Sequence, residues 1–274
     1  MEIHYDLFTK VLQPHHIIVL CDWLTFFDPA PSALIVYMPD DSNIREPLER
    51  AAERFGIELR PVLSVEGEDL RYRETPILTR LAAQSNTRWL ASLNLDTLCY
   101  RRGHDGWLAD DISFMEKEGL IFLVGALVYA ADQPVPGFSH YRLTQRFSNN
   151  FAVFRRDAWE EAMKAKPLEM LIGQPEERFH SEWAIEQTMA ERNVWGLRRM
   201  NTMDWRVINV QRWDQKLLST RQKFLEGNGI EPFLNLKVEE CRYTWERHFD
   251  ADRPSLLRRW RIKAGRIRRE FLGR

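Results

Sequence analysis

Residues 89–97, Trp89-Leu90-Ala91-Ser92-Leu93-Asn94-Leu95-Asp96-Thr97, decide how the chain is read: an apolar run of one strand's length breaks off into Asn-x-Asp and a further polar residue. A short continuous apolar run bounded by polar turn-formers is the pattern of a strand covered on both faces. In open α/β sheets ligands gather beyond the carboxyl ends of such strands, which makes Asn94 and Asp96 the first residues to inspect for chemistry. The same two residues also fit a second role, the hydrogen bonds of an ordinary turn.

On either side of this stretch, strand-like runs alternate with amphipathic segments. Strands are expected over 16–20, 33–38, 57–64, 88–95 and 120–129. Over 44–55, Leu48, Ala51, Ala52 and Phe55 share one helical face and Gly56 is a natural stop. Thr75 followed by Pro76 starts another helix, with Ile77, Leu78, Leu81 and Ala82 facing inward. The alternation predicts an α/β fold, a mixed sheet flanked by helices. Further on, Pro134, Pro136 and Gly137 mark a loop, 150–154 a strand, and 157–164 a helix stopped by Pro167. A loop is expected at 173–178, a helix capped by Ser181 to about Asn193, strands at 194–197 and 205–210, and a helix over 212–226 ended by Gly227.

With 274 residues, 44% hydrophobic and 29% charged, the chain can bury a large core. Its three cysteines, Cys21, Cys99 and Cys241, lie far apart and outside zinc spacings, which argues against a disulfide framework and fits a reducing, cytoplasmic setting. The opening residues lack the basic start and apolar run of a cleaved signal. The longest apolar run, 120–131, falls well short of the roughly 20 residues of a spanning helix.

Several landmarks together resemble the glycosyltransferase A fold of family-2-like, nucleotide-sugar-dependent enzymes. Asn94-Leu95-Asp96 is similar to the "DxD" element, and Ile35-Val36-Tyr37-Met38-Pro39-Asp40-Asp41-Ser42-Asn43 is similar to the acidic turn that contacts base and ribose. His180-Ser181-Glu182-Trp183 resembles the "ED" element, and 148–156 resembles the strand before the acceptor-side helix. The resemblance implies a glycosyltransferase fold over 1–253, with a nucleotide-binding half to residue 130 and an acceptor half after it. It implies that Asp40, Asp41, Arg73, Asn94 and Asp96 meet the donor. It also implies that Asn94 and Asp96 hold a divalent cation, Mn²⁺ or Mg²⁺, which would offset charge on the departing diphosphate. Asn94 offers only a neutral oxygen in place of a carboxylate, and the late histidine of the family is missing from 207–213.

Glu182 is implied as the base that deprotonates the acceptor hydroxyl in an inverting transfer, with Glu186 one turn later as a spare. Asn149, Asn150 and Trp183 would touch acceptor or sugar, since an indole packs on apolar sugar faces. Bland roles stand beside these: Asp41 or Ser42 as a helix cap, Glu182 as first-turn capping chemistry, and the tryptophans as core.

The segment 254–274 carries eight basic residues and one acid, leaving 31 basic and 39 acidic residues before it. Leu256, Trp260, Ala264, Ile267 and Phe271 align on one helical face, the pattern of an amphipathic helix on an anionic membrane surface. Packing of that stripe on the acidic body is the alternative, and nucleic acid fits poorly because the body repels phosphate. The chain is thus expected to use a nucleotide-sugar donor and a glycan or lipid-linked acceptor, peripheral to the inner face of the membrane. A non-catalytic scaffold of the same fold is the other reading. No Gly-x-Gly-x-x-Gly follows an early strand, which disfavours a dehydrogenase or methyltransferase.

Overall fold

Three strands at the centre are buried from end to end: β1 (Tyr5–Lys10), β2 (Ala33–Met38) and β4 (Trp89–Leu93). Alternate side chains of such strands must leave on opposite faces, so the sheet needs two covers. In the computed structural model, which describes residues 3–64, 74–125, 131–210, 213–227 and 234, both are present. Leu7, Leu34, Val36, Ala91 and Leu93 enter one core with α1 (His16–Phe26), α2 (Ser42–Phe55) and α4 (Trp107–Glu118). Phe8, Ile35, Tyr37 and Leu90 enter a second with α3 (Glu74–Ala82), α5 (Arg156–Ala165) and α6 (His180–Arg192).

The remaining strands are β3 (Glu58–Leu63), β5 (Thr97–Arg101), β6 (Phe122–Val124), β7 (Gln133–Val135), β8 (Phe138–Thr144), β9 (Phe151–Arg155), β10 (Gly196–Arg199) and β11 (Trp205–Asn209). The main sheet runs β3-β2-β1-β4-β9-β6-β10-β8-β7, and β11 pairs with β5 in a small antiparallel sheet. β3, β2, β1 and β4 are parallel, whereas β9 lies antiparallel between β4 and β6. The chain therefore moves from β1 outward through β2 and β3, then returns to the other side of β1 with β4. That reversal makes the carboxyl ends of β1 and β4 a topological switch point.

Several expected elements change. Residues 16–20 belong to α1, not to a strand: the helical spacing emerges only when Trp23, Leu24 and Phe26 are counted with Ile17 and Leu20, all buried. The first strand lies earlier, at β1. The expected loop at 134–137 is the turn of the β7–β8 hairpin, where Val135 pairs with Phe138 and Gly137 takes φ 81°, a conformation that favours glycine. Within 173–178 lies a 3-10 turn, Pro175–Phe179. Ser181 does not cap α6, because the helix begins one residue earlier with Phe179 at the cap position. The helix expected over 212–226 is α7 (Lys216–Glu226), ended by Gly227 at φ 75° and tied to α1 by the Arg221–Asp22 ion pair. Among the described residues, no helix is long and apolar enough to cross a membrane. The segment 254–274 lies outside the described residues.

Candidate active site

Lys10 closes β1 and pairs in register with Tyr37 of β2, while its neighbour Thr9 sits opposite Leu93 of β4 and donates its hydroxyl to the Leu93 carbonyl at 2.9 Å. After Leu93 the chain turns, with the Thr97 N–H donating to the Asn94 carbonyl at 2.9 Å, and leaves as β5. Asn94 and Asp96 thus stand at the switch point. Asn94 faces β9: its main-chain N–H reaches the Asn150 carbonyl at 3.1 Å and its amide reaches Asn150 Oδ1 at 3.3 Å. Asp96 faces β11, accepting from Asn209 Nδ2 at 3.2 Å, while its own carbonyl receives the Val210 N–H. Only 5% exposed, the Asp96 carboxyl is pushed up to about 7 by burial, against the pull of the Lys10 charge and the Asn209 hydrogen bond.

Because β9 is antiparallel to β4, its start lies at this same edge. The Asn149 N–H donates to Glu182 Oε1 at 2.8 Å, and the Asn149 amide donates to Ser181 Oγ at 2.7 Å. Ser181 N–H in turn reaches Thr75 Oγ1 at 3.2 Å, which joins α6 to α3. Burial raises the Glu182 carboxyl to about 8; the Asn149 N–H and Ser148 oppose this, and the negative charges of Glu74 and Glu186 reinforce it. Glu74 also raises Asp96. One residue therefore acts electrostatically on both acids, and its own carboxylate is 3.0 Å from Lys10 Nζ. Glu186, the spare base, is engaged by Arg146 at 2.7 Å and by the Phe147 N–H at 3.1 Å.

The structure thus brings Asn94, Asp96, Asn149, Asn150 and Glu182 to one edge. Asp40 and Asp41 follow β2 along that edge but serve α2: Asp41 caps it by accepting the Asn43 N–H at 2.9 Å, and Asp40 pairs with Arg45 at 2.9 Å. Trp183, half-buried, lies 6.3 Å from the His180 ring. Arg73 lies outside the described residues. Lys10, Glu74 and Asn209 were not anticipated; with β1 unrecognised, nothing in the sequence marked Lys10 as a strand-end residue. A depression of about 610 Å³, lined by Gln13, Pro14, His15, Trp213, Asp214 and Gln215, opens beside this edge. A second groove, of about 410 Å³ between α5 and α6, opens at the opposite edge, away from these acids.

The donor set does not suit a divalent cation. Asn94 is neutral and turned toward Asn150, Asp96 is turned toward Asn209, and the Lys10 charge acts on Asp96. Hard cations need several anionic or carbonyl oxygens converging on one point. Among the described residues, no three His, Cys, Asp or Glu side chains are grouped to hold a metal. Asn94 and Asp96, expected to hold the cation together, turn to different neighbours.

No protein-family model and no curated protein matches the sequence. Solved structures do resemble the fold. A UDP-glucose pyrophosphorylase complexed with UDP-glucose is similar over 76% of this chain and 93% of its own, at 10% identity and a TM-score of 0.50. Its apo form gives 11% identity and 0.47 over 76% and 92%. A mannosyltransferase from Pyrobaculum calidifontis, in complex with GDP-Man and Mn²⁺, matches over 57% of this chain at 13% identity and 0.41; the chain spans 46% of that protein's length. The topology and the likeness to the UDP-glucose-bound pyrophosphorylase show a glycosyltransferase A-like α/β fold.

Proposed function

We propose that this chain is a glycosyltransferase that moves a sugar from a nucleoside-diphosphate donor to a hydroxyl acceptor. The reading is supported by the placement of Asp96 and Glu182 at the sheet's carboxyl edge, held by Asn209 and by the Asn149 N–H, where Glu74 acts on both. Acids whose environments move them toward neutrality are the groups that proton transfer near pH 7 requires. In this reading the depression beside His15 and Trp213, within the usual size of ligand sites, receives the nucleoside together with Asp40 and Asp41. Asp96 orders the donor at the switch point, and Asn149, Asn150 and Trp183 border the sugar and acceptor.

Glu182 removes the acceptor hydroxyl proton as that oxygen attacks the anomeric carbon. The bond to the diphosphate breaks with its electrons, and the configuration inverts. Held by the Asn149 N–H, the carboxylate keeps a fixed orientation, and a base that titrates near ambient pH is well matched to the task. The acceptor is proposed to be a glycan or lipid-linked glycan, with 254–274 resting on the anionic membrane surface. Loss of co-sedimentation with anionic vesicles on ending the chain at Arg253 tests that part.

The core test is a thermal-shift panel of nucleoside diphosphates and nucleotide sugars, followed by transfer assays on Asp96→Asn and Glu182→Gln. Ligand binding should raise the melting temperature by mass action, and both variants should fold but fail to transfer. Full activity in both would end the assignment. Binding without turnover in the unmodified chain would instead favour a non-catalytic scaffold.

A further inference from the structure

We propose that Lys10 is the cation of the donor site: it neutralises the diphosphate directly, in place of a divalent metal, and exchanges Glu74 for a phosphate oxygen to do so. The inference rests on the nucleotide-sugar reading above and names the residue that performs its charge neutralisation. Position, neighbours and donor set lead to it.

The first is position. Lys10 is the last residue of β1, the strand at which the sheet order reverses, so it borders the crevice where ligands of open α/β sheets bind. Its side chain is 9% exposed and lies on the face of Phe8, the face covered by α3 and α6. The second is the company it keeps. Lys10 pairs with Glu74 and acts on Asp96, and Glu74 acts on both Asp96 and Glu182, so that in this group Lys10 is the cation among three acids. Among the described residues, Arg146 pairs with Glu186, and Arg80 lies over the Tyr37 ring at 5.4 Å. A diphosphate entering this crevice would add negative charge to an already acidic neighbourhood. It is tolerated only if a cation meets it. The third is the donor set: among the described residues no three His, Cys, Asp or Glu side chains are grouped to hold a metal, and Asn94 and Asp96 turn to different neighbours.

The Lys10–Glu74 contact is a single N–H···O bond of 3.0 Å with 17% of the Glu74 side chain exposed, and a flexible four-carbon stem lets the ammonium change partners. Exchange of Glu74 for a phosphate oxygen keeps the lysine paired throughout. A purely structural clip between β1 and α3 would have the same geometry, and the two roles part company in what Glu74 does to binding.

The experiment measures UDP and GDP binding by isothermal titration calorimetry, in EDTA and in Mn²⁺, with uridine and guanosine as controls lacking the diphosphate. The unmodified chain should bind one of the diphosphates in EDTA with little gain from Mn²⁺. Lys10→Met should weaken that binding by about tenfold to a hundredfold, the range of a lost charge-assisted hydrogen bond, and should leave the nucleoside control unchanged. Lys10→Arg should retain most of it. Glu74→Gln, which frees the ammonium, should tighten diphosphate binding, whereas a structural clip predicts no gain. Lys10→Met/Glu74→Gln, without an unpaired buried carboxylate, covers the case in which Lys10→Met alone fails to fold. Binding that requires Mn²⁺, or that survives unchanged in the lysine variants, overturns the role of Lys10 and leaves the nucleotide-sugar reading standing. Absence of diphosphate binding under both conditions overturns both.

Discussion

The main-chain N–H of Asn149 donates to Glu182 at 2.8 Å, so the bend that opens β9 and the first turn of α6 are fastened together at the sheet's carboxyl edge. The residue so held is half-buried, and burial lifts its carboxyl from 4.5 to about 8. An acid raised in the folded state binds more protons than the unfolded chain throughout that window. Its contribution to stability is therefore full below about 4.5 and is lost as pH climbs toward 8. Asp96, raised from 3.8 to about 7, acts in the same direction. The ligand-free chain should melt at a lower temperature at pH 8 than at pH 5.5, by a few degrees, since one pKa unit is at most about 1.4 kcal/mol and half-buried Glu182 contributes less than that. Glu182→Gln should flatten that slope. A melting temperature that rises over the interval would contradict the protonation states assigned to both acids.

The same groups set the pH profile of catalysis. A base must be deprotonated to act, so transfer should increase with pH up to about 8 in the free enzyme and then level off. Substituting Asn149 by Ala leaves its main-chain N–H in place and removes only the amide on Ser181, 2.7 Å away. Activity in that variant should fall less than tenfold, while Asn149→Pro, which deletes the donor to Glu182, should lower it far more. Initial-rate assays across pH 6–9 on the three proteins decide the matter.

Asn209 donates to both Asp96 Oδ1 and Thr97 Oγ1 at 3.2 Å, and so fixes the corner where β4 turns into β5. Asn209→Ala should weaken nucleoside diphosphate binding by about tenfold, the value of one or two neutral hydrogen bonds, with a modest loss of stability. Equal affinity in titration calorimetry would remove Asp96 orientation from the account of the donor site.

How far the sequence carried depended on how each segment resolves its polar residues. β2 was legible residue for residue because 33–38 is apolar throughout and bounded by turn-formers, and α2 was legible because its apolar residues recur at helical spacing before Gly56. β1 was missed because Tyr5–Lys10 contains Asp6 and Lys10, which look like surface residues. Both are buried against partners distant in sequence: Asp6 accepts from Ser85 at 2.6 Å, and Lys10 meets Glu74. Local pattern cannot reveal a pairing across 64 or 79 positions. The misreading of 16–20 has the converse cause, since five apolar-rich residues show no period until the next turn of helix is included. At the site, strand-end position identified Asn94 and Asp96, and helix-start position identified Glu182. The direction each side chain takes, which separates Asn94 from Asp96, follows from neighbours on β9 and β11.

Gly196 begins β10 with its Cα against the ring of Phe122 on β6. A Cβ at that position would lie 2.1 Å from Phe122 Cε2, well inside contact distance. Phe122 has no room to retreat, being 1% exposed and packed edge-on against Phe147 at 5.1 Å. Gly196→Ala should therefore destabilise the chain by about 1–3 kcal/mol, the usual range for an overpacked core, and more if β10 separates from β6. Gly196→Ala combined with Phe122→Leu should recover part of the loss in urea denaturation. An unchanged midpoint in the single variant would mean that the two strands approach less closely than described.

Arg199 and Asp111 form an enclosed ion pair, with side chains 7% and 0% exposed. The guanidinium reaches both carboxylate oxygens, at 2.9 and 3.0 Å, and lies over the rings of Trp205 at 4.8 Å and Trp107 at 5.3 Å. Tyr141 donates its hydroxyl to the same carboxylate. Burial raises the Asp111 carboxyl, and Arg199 and Tyr141 oppose that rise. Removing one partner of such a pair strands the other charge without water. Asp111→Ala should thus cost about 3–5 kcal/mol, while the pair itself, weighed against its desolvation, contributes far less. The double variant Asp111→Leu/Arg199→Met, which takes both charges away together and keeps volume between the indoles, should be more stable than Asp111→Ala alone. Urea midpoints for the single and double variants test this directly: a double variant that is less stable than the single would show that the ion pair adds net stability here, and that the aromatic faces of Trp107 and Trp205 depend on the guanidinium between them.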